Sequence, residues 1–324
     1  MTRRLDLLAV AMNLAVASGV VCAQQPSNVP VVGALMLNEG PHEPVVEEMR
    51  KGLRALGYVE GRNITIEYRL AQGQVDRLPR LAEELVGLKV DVIFVGTESS
   101  ARAAKQATNV IPIVLVAHDY DPVAAGLIAS LNRPGGNVTG VFSRQSHLVA
   151  KRLELLKEAL PGVSRVAVFW DSFGQRQLDE LTPAARSLGV RLELVELRAP
   201  YDFKEAFKAA KRKRAGALMC LVSPMFNAEH ARIAALAIEN GLPAIFQEQY
   251  VVEAGGFLSY GPDPADAFGR SAYFIDRLLK GAKPSDLPVE QVSTIKLVVN
   301  LKTAKALGIS VPESILLRAD KVVQ

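Results

Sequence analysis

Apolar and polar positions switch between two periods along nearly the whole chain. Short apolar runs such as "VPVVGALML" (29–37), "VDVIFVG" (90–96) and "IPIVLVA" (111–117) read as strands buried on both faces. Between them, residues 42–57 space Val45, Val46, Met49, Leu53 and Leu56 as one face of a helix, and 75–88 do the same with Leu78, Leu81, Leu85 and Leu88. "NITIEYRL" (63–70) is a further strand, and a helix begins at Ala101. Strand–helix–strand units repeated in this way predict an α/β fold with parallel sheets and helices on both faces.

The second half repeats the first. "SRVAVFW", "VRLELVEL", "GALMCLV" and "LPAIF" read as strands, with helices over 175–188, 202–213 and 226–239 between or after them. Leu56-Gly57 corresponds to Leu188-Gly189 at an offset of 132, and Ile111-Pro112 to Leu242-Pro243 at 131. Both Leu-Gly pairs suit helix C-caps, and two lobes of one topology follow. Turn chemistry at Pro134-Gly135-Gly136-Asn137 and in "EAGGFLSYGPDP" marks the passages between lobes. The expected division is a leader over 1–23, an N-terminal lobe of 30–141 plus 257–287, and a C-terminal lobe of 142–256 plus 288–324. Two lobes joined by several crossings form a hinged cleft.

Composition narrows the class. A chain of 324 residues, 49% hydrophobic and 22% charged, supports about two ordinary cores and excludes disorder. Arg3 and Arg4, the apolar run Leu5–Val21 and the small-x-small triplet Val21-Cys22-Ala23 read as an export signal cut after Ala23. Its removal takes two arginines and one aspartate, which lowers the net charge from +4 to +3. The expected location is periplasmic, a lipid on Cys22 being the alternative. Cys220 then remains as one buried thiol, so no disulfide forms within the chain. The basic run Lys211–Arg214 closes a helix, where cations suit the dipole, and no aromatic residues interleave with it. Nucleic acid is therefore not an expected partner.

In open parallel sheets, ligands bind beyond the carboxyl ends of strands. Those places hold Asn38, Thr97-Glu98-Ser99-Ser100, His118-Asp119-Tyr120, Asp171-Ser172, Ser223, Gln247 and Ser259-Tyr260. The hydroxyls Thr97, Ser99 and Ser100 at a helix start, beside free backbone N–H groups, suit a carboxylate. Glu98 or Asp119 suits an ammonium on the same molecule. Serine at Ser99 also suits a plain helix cap, and the two uses stay open at this point. No nucleophile elbow, phosphate loop or dinucleotide fingerprint occurs, and His42, His118, His147 and His230 lack metal-ligand spacing. The expectation is a binding protein with no catalytic set, metal or cofactor.

Five ordered stretches carry a family resemblance: "LGYVEGRNITIEYR", "IPIVLVAHDYDPVAAGLIASLNRPGGNVTG", "KRLELLKEALPGVSRVAV", "VEAGGFLSYGPDP" and "LLKGAKPSDLPVEQ" with "LVVNLKTAKALGISVP". With them the chain resembles the substrate-binding proteins of ABC transporters, in the group related to a tryptophan-binding lipoprotein. The resemblance implies the type I periplasmic-binding fold, in which two Rossmann-like lobes and three crossovers enclose a ligand. It further implies delivery of that ligand to a permease driven by a separate ATPase. The hydroxyls, mixed charges and few rings of the site suit a small carboxylate-bearing ligand, an amino acid or aromatic or organic acid, and capture by hinged closure of a monomer is the expected mechanism. By position the resemblance places Asn38, Thr97, Ser99, Asp119, Ser223, Gln247 and Tyr260 on the cleft, with Glu98 beside them. Phe142 and Trp170 are the candidates for stacking on a ring. Glu98-Ser99 and His118-Asp119-Tyr120 depart from the smaller residues of relatives, so the family's ligand does not transfer directly. A sensor module of the same fold, signalling through a membrane partner, is the alternative function.

Overall fold

The computed structural model describes residues 29–37, 44–118, 120–143, 146–263 and 265–324. The expected leader, Asn38 and Asp119 lie outside the described residues. In the first half, strands β1 (Val31–Met36), β2 (Thr65–Leu70), β3 (Val92–Val95), β4 (Ile113–His118) and β5 (Val138–Ser143) alternate with helices α1 (Pro44–Ala55), α2 (Leu78–Gly87) and α3 (Glu98–Ala107). Helices α4 (Val149–Ala159), α5 (Gln175–Ser187), α6 (Phe203–Arg212), α7 (Pro224–Ala228), α8 (His230–Glu239) and α9 (Gln249–Glu253) follow. They alternate with β6 (Arg165–Trp170), β7 (Arg191–Glu196), β8 (Ala217–Cys220), β9 (Ala244–Phe246) and β10 (Leu258–Pro262). The chain closes with α10 (Arg270–Leu279), β11 (Glu290–Gln291), β12 (Ile295–Asn300), α11 (Leu301–Ala306), α12 (Glu313–Leu316) and β13 (Lys321–Val323).

Two sheets result, in the orders β11-β5-β4-β3-β1-β2 and β13-β12-β10-β9-β8-β6-β7. All pairings are parallel except β10 with β12. Each sheet is covered on both faces, which explains the unbroken apolar runs. In β3, Ile93 and Val95 enter one core while Val92 and Phe94 enter the other. In β6, Val166 and Val168 face one side of the second lobe, and Ala167 and Phe169 the other.

The internal repeat survives as geometry. Gly57 (φ 89°) and Gly189 (φ 62°) both end their helices in the left-handed region that glycine tolerates. The following amides reach back alike, Tyr58 N–H to Leu53 O at 2.9 Å and Val190 N–H to Ala185 O at 2.9 Å. The two proline carbonyls match as well. Pro112 O accepts from Ile93 at 2.8 Å, and Pro243 O from Leu218 at 2.9 Å.

The sheets divide the chain differently from the expected boundaries. β5 lies wholly in the first sheet through Ser143, in register with β4, although 142 and 143 were expected in the second lobe. β10 stays in the second sheet, held between β9 and antiparallel β12, so the stretch from 257 does not yet return to the first lobe. The return comes after Pro262, where Ala267, Ala272, Phe274 and Ile275 pack with Val32 and Met49. β11, at 290–291, pairs with β5 in the first sheet. Crossing segments lie side by side, with Val292 N–H on Phe142 O at 2.9 Å and Asp263 N–H on Thr294 O at 3.0 Å.

The C-terminal segment is pinned to α4 by Glu158, which accepts from Ser314 Oγ at 2.7 Å and from Arg318 Nη2 at 2.5 Å. These hydrogen bonds hold the Glu158 carboxyl below its ordinary pKa of 4.5. A depressed carboxylate adds stability above its unfolded pKa and loses it as pH falls through the folded value. Glu158→Gln should therefore melt earlier than the parent at pH 7, and thermal melts near pH 3 should show the difference gone.

Candidate functional site

The first lobe presents the N-terminus of α3 at the carboxyl end of β3. Thr97, with extended backbone, is the N-cap, and its Oγ1 accepts from Ser100 N–H at 3.1 Å. Ser100 Oγ in turn accepts from Thr97 N–H at 3.1 Å, which completes a capping box. The helix thus starts at Glu98, three residues before the expected Ala101, and the cap is Thr97 rather than Ser99. Ser100 takes the reciprocal role because it faces inward and is fully buried. Ser99 is left half-buried with its Oγ 3.1 Å from Thr97 Oγ1. Glu98 is bound on its own helix by Arg102 at 2.9 and 2.7 Å, so its charge is already met.

At the neighbouring strand ends, Tyr120 and Ser143 are buried, and neither hydroxyl has a hydrogen-bond partner. Burial raises the Tyr120 phenol far above its ordinary pKa, so it stays a neutral donor. Phe142 corrects the expectation of a stacking ring. It is 1% exposed and packs in the first-lobe core with Leu115, Ala117 and Val289.

In the second lobe a carboxylate organises the strand ends. Asp171, buried directly after β6, accepts from Ser223 Oγ at 2.5 Å and Tyr201 OH at 3.2 Å on Oδ2, and from Phe173 N–H at 3.0 Å on Oδ1. Burial pushes its carboxyl up, and these hydrogen bonds oppose the shift. Ser223 also caps α7, accepting from Met225 N–H at 3.1 Å and Phe226 N–H at 3.4 Å. Its hydroxyl is therefore fully engaged inside the lobe, which removes it from the expected ligand contacts. Trp170 is half-buried against the second-lobe core with its indole Nε1 unpartnered. Gln247 donates from Nε2 to Asn227 Oδ1 at 2.6 Å, and its Oε1 is unpartnered. Tyr260 is half-buried, and its carbonyl accepts from the buried Arg152 Nε at 2.7 Å.

The lobes meet at one further place. Gly73, at φ 75° beyond the edge strand β2, lies against Met225 of α7, so that a Cβ there would come 3.1 Å from the Met225 sulfur. β2 is four strands from β5 in the first sheet, roughly 19 Å at the usual strand spacing. The contact thus lies on the side of the first sheet away from the crossings. A cavity of about 530 Å³ lies elsewhere, beside α1 and α10, and is lined by Gly52, Leu56, Arg270, Tyr273 and Glu290. None of the expected site residues borders it.

Of the expected set, Thr97, Glu98 and Ser99 share one helix start, while in the other sheet Trp170 ends β6, Gln247 follows β9 and Tyr260 lies within β10. Post-strand position pointed to Tyr120 and Asp171 without assigning either a role. Nothing local pointed to Ser143 or to the Gly73–Met225 contact.

A family model described as ABC transporter substrate binding protein matches residues 35–323. The chain belongs to that family. This substrate-binding protein is 29% identical over 274 residues to a tyrosine-binding protein of Clostridioides difficile (strain R20291), covering 82% of the chain and 77% of the relative. Among solved structures, a conserved domain protein of Vibrio cholerae has a TM-score of 0.78 at 29% identity, covering 91% of this chain and 99% of its own. An ABC domain from Streptococcus pneumonia, solved in complex with L-Trp, has a TM-score of 0.77 at 26% identity with the same coverage. The two-lobed periplasmic-binding fold is shared with them, and the family is one of solute-binding proteins rather than enzymes. Among the described residues, no helix is long and apolar enough to cross a membrane.

Two substitutions separate capping from binding at α3. Thr97→Ala should lower the stability of the ligand-free protein by about 1 kcal/mol, read from denaturant midpoints. Ser99→Ala, which leaves the capping box intact, should not move that midpoint. Its effect belongs in the ligand affinity, as a loss of roughly tenfold in a calorimetric titration.

Proposed function

We propose that this protein is the extracytoplasmic solute-binding component of an ABC importer. In this reading it captures a small carboxylate-bearing solute, an amino acid or aromatic acid, and passes it to the permease. The observation that carries the reading is a set of buried polar atoms without partners at strand ends in both lobes: Tyr120 OH, Ser143 Oγ, Trp170 Nε1 and Gln247 Oε1. Orphaned buried groups are rare in native proteins, and in this reading the bound solute supplies partners to those that border it. The relatives named for tyrosine and solved with L-Trp support the amino-acid class. The leader read over 1–23 supports work outside the cytoplasm.

The ligand carboxylate docks at the start of α3, where the amides of Glu98 and Ser99 precede the first intrahelical bonds and the Ser99 hydroxyl stands beside them. Trp170 and Tyr260 wall the opposite lobe and face the less polar end. Hinge rotation about the paired crossing segments then brings Met225 onto Gly73, so closure gains contacts that only the closed state has.

A thermal-shift panel of amino acids and aromatic or aliphatic carboxylates tests this. A true ligand at 100 times its Kd stabilises by about 2.7 kcal/mol, which raises the melting temperature by a few degrees. A saturable rise for one chemical class is expected. A flat panel on folded protein would sink the proposal.

A further inference from the structure

Among the described residues ten large hydrophobic side chains are exposed, and five of them stand at one end of the first lobe: Val29, Leu56, Val59, Leu88 and Val110. They lie in the segments that lead into β1, β2, β3 and β4, so the parallel strands carry all five to the end of the sheet opposite Thr97 and Ser143. Backbone hydrogen bonds hold these segments side by side. Thr65 N–H reaches Pro30 O at 2.9 Å, Asp91 N–H reaches Val31 O at 2.8 Å, and Ile93 N–H reaches Pro112 O at 2.8 Å. The row crosses four adjacent strands, about 14 Å. Val110, at 82%, is the most exposed of the ten.

Charge at this end is one-sided. Glu60 is held by Arg50 Nε at 2.9 Å, and Asp91 accepts from Val31 N–H at 2.7 Å. Arg62, Lys89 and Arg133 are exposed in the segments before β2, β3 and β5, and among the described residues they have no carboxylate partner. The chain also enters the fold here. The apolar run Leu5–Val21 ends eight positions before Val29, a tether of at most about 28 Å when extended.

We infer that this end of the first lobe docks on an anionic phospholipid surface, its five apolar side chains in the headgroup layer and its three cations on the phosphates. A second copy of the chain is the poorer occupant, because a two-fold pairing would set the same unmatched cations against each other. The face lies away from the candidate solute site, so the inference stands or falls apart from the proposed function.

The test carries an environment-sensitive dye on Val110→Cys or, as the control in the other lobe, on Leu317→Cys, which is 79% exposed. Both are made in the full chain with Cys22→Ser, and the buried Cys220 takes no label. On vesicles of equal parts phosphatidylcholine and phosphatidylglycerol containing a spin-labelled lipid, the dye at 110 should be quenched and the dye at 317 should not. The quenching should weaken as salt rises, and fall severalfold when Arg62→Glu, Lys89→Glu and Arg133→Glu are combined. Leu56→Ser with Leu88→Ser should lower it as well, with the melting temperature checked to confirm that each variant is folded. Absence of quenching at 110, or equal quenching at the two positions, overturns the inference. Quenching at 110 that survives both combined variants leaves only the tether to explain it, and overturns the inference too. A dimer that forms with rising concentration and is lost in Leu56→Ser with Leu88→Ser would assign the face to a second copy instead.

Discussion

Gly261→Ala should destabilise the second lobe by about 3–5 kcal/mol and abolish ligand binding. The methyl group would lie 2.0 Å from the Gln247 carbonyl oxygen and 3.0 Å from its carbon. Those are backbone atoms, so no rotamer change relieves the clash. Either β10 moves away from β9, breaking the pairing of Leu258 and Ser259 with Ile245 and Phe246, or Gln247 leaves its place. Both alternatives disturb the strand ends that face the cleft. Gly216→Ala is the control, because its nearest neighbour, a Val163 methyl, would stand at an ordinary 3.4 Å. That variant should stay within about 1 kcal/mol of the parent in urea unfolding. Equal midpoints for the two variants would contradict the account of this junction.

Asp171→Ala should cost about 3 kcal/mol and loosen α7. One carboxylate satisfies two hydroxyls and one amide, and Ser223 passes that order on to the amides of Met225 and Phe226. Without it, Ser223 loses its acceptor, and Met225 is no longer fixed opposite Gly73. Affinity should fall with stability, in contrast to Ser99→Ala. The pH dependence has a definite sign. Burial raises the folded pKa of Asp171 above its ordinary 3.8, so the folded state holds that proton more tightly than the unfolded chain. The stability of the parent relative to Asp171→Asn should therefore fall as pH rises from about 3.8 through the raised value, and stay level above it. Urea midpoints across that range measure it. A relative stability that rises over the same window would contradict the assignment.

Local chemistry made much of the fold legible. Leu56-Gly57 and Leu188-Gly189 announced equivalent helix ends because a left-handed terminus needs glycine wherever the chain goes next. The prolines at 112 and 243 marked equivalent strand entries for a similar reason. β10 was placed in the wrong sheet because its neighbour β12 comes more than thirty residues later, and a strand carries no local label for its sheet. The choice between Thr97 and Ser99 as cap turned on Ser100 being the hydroxyl that faces the core. Phe142 was read as a stacking ring because position at a strand end does not tell which face its side chain takes. Met225 and Gly73 meet across two lobes, a relation that periodicity cannot encode. Post-strand position thus tells which strand end a side chain stands at, and not which face it takes or whether its polar atoms are already engaged.

Trp170, the single tryptophan of the chain, ends β6 and packs against the second-lobe core with its indole nitrogen unpartnered. In the proposed reading, a ligand held at these strand ends changes its surroundings. The most direct measurement is a fluorescence titration of the full chain, exciting tryptophan selectively, with L-tyrosine and the other non-indole ligands of the thermal-shift panel. Capture between the lobes predicts a saturable change in Trp170 emission, at the same half-saturation as the rise in melting temperature. A ligand that raises the melting temperature and leaves the Trp170 emission unchanged would place binding away from these strand ends and contradict the account.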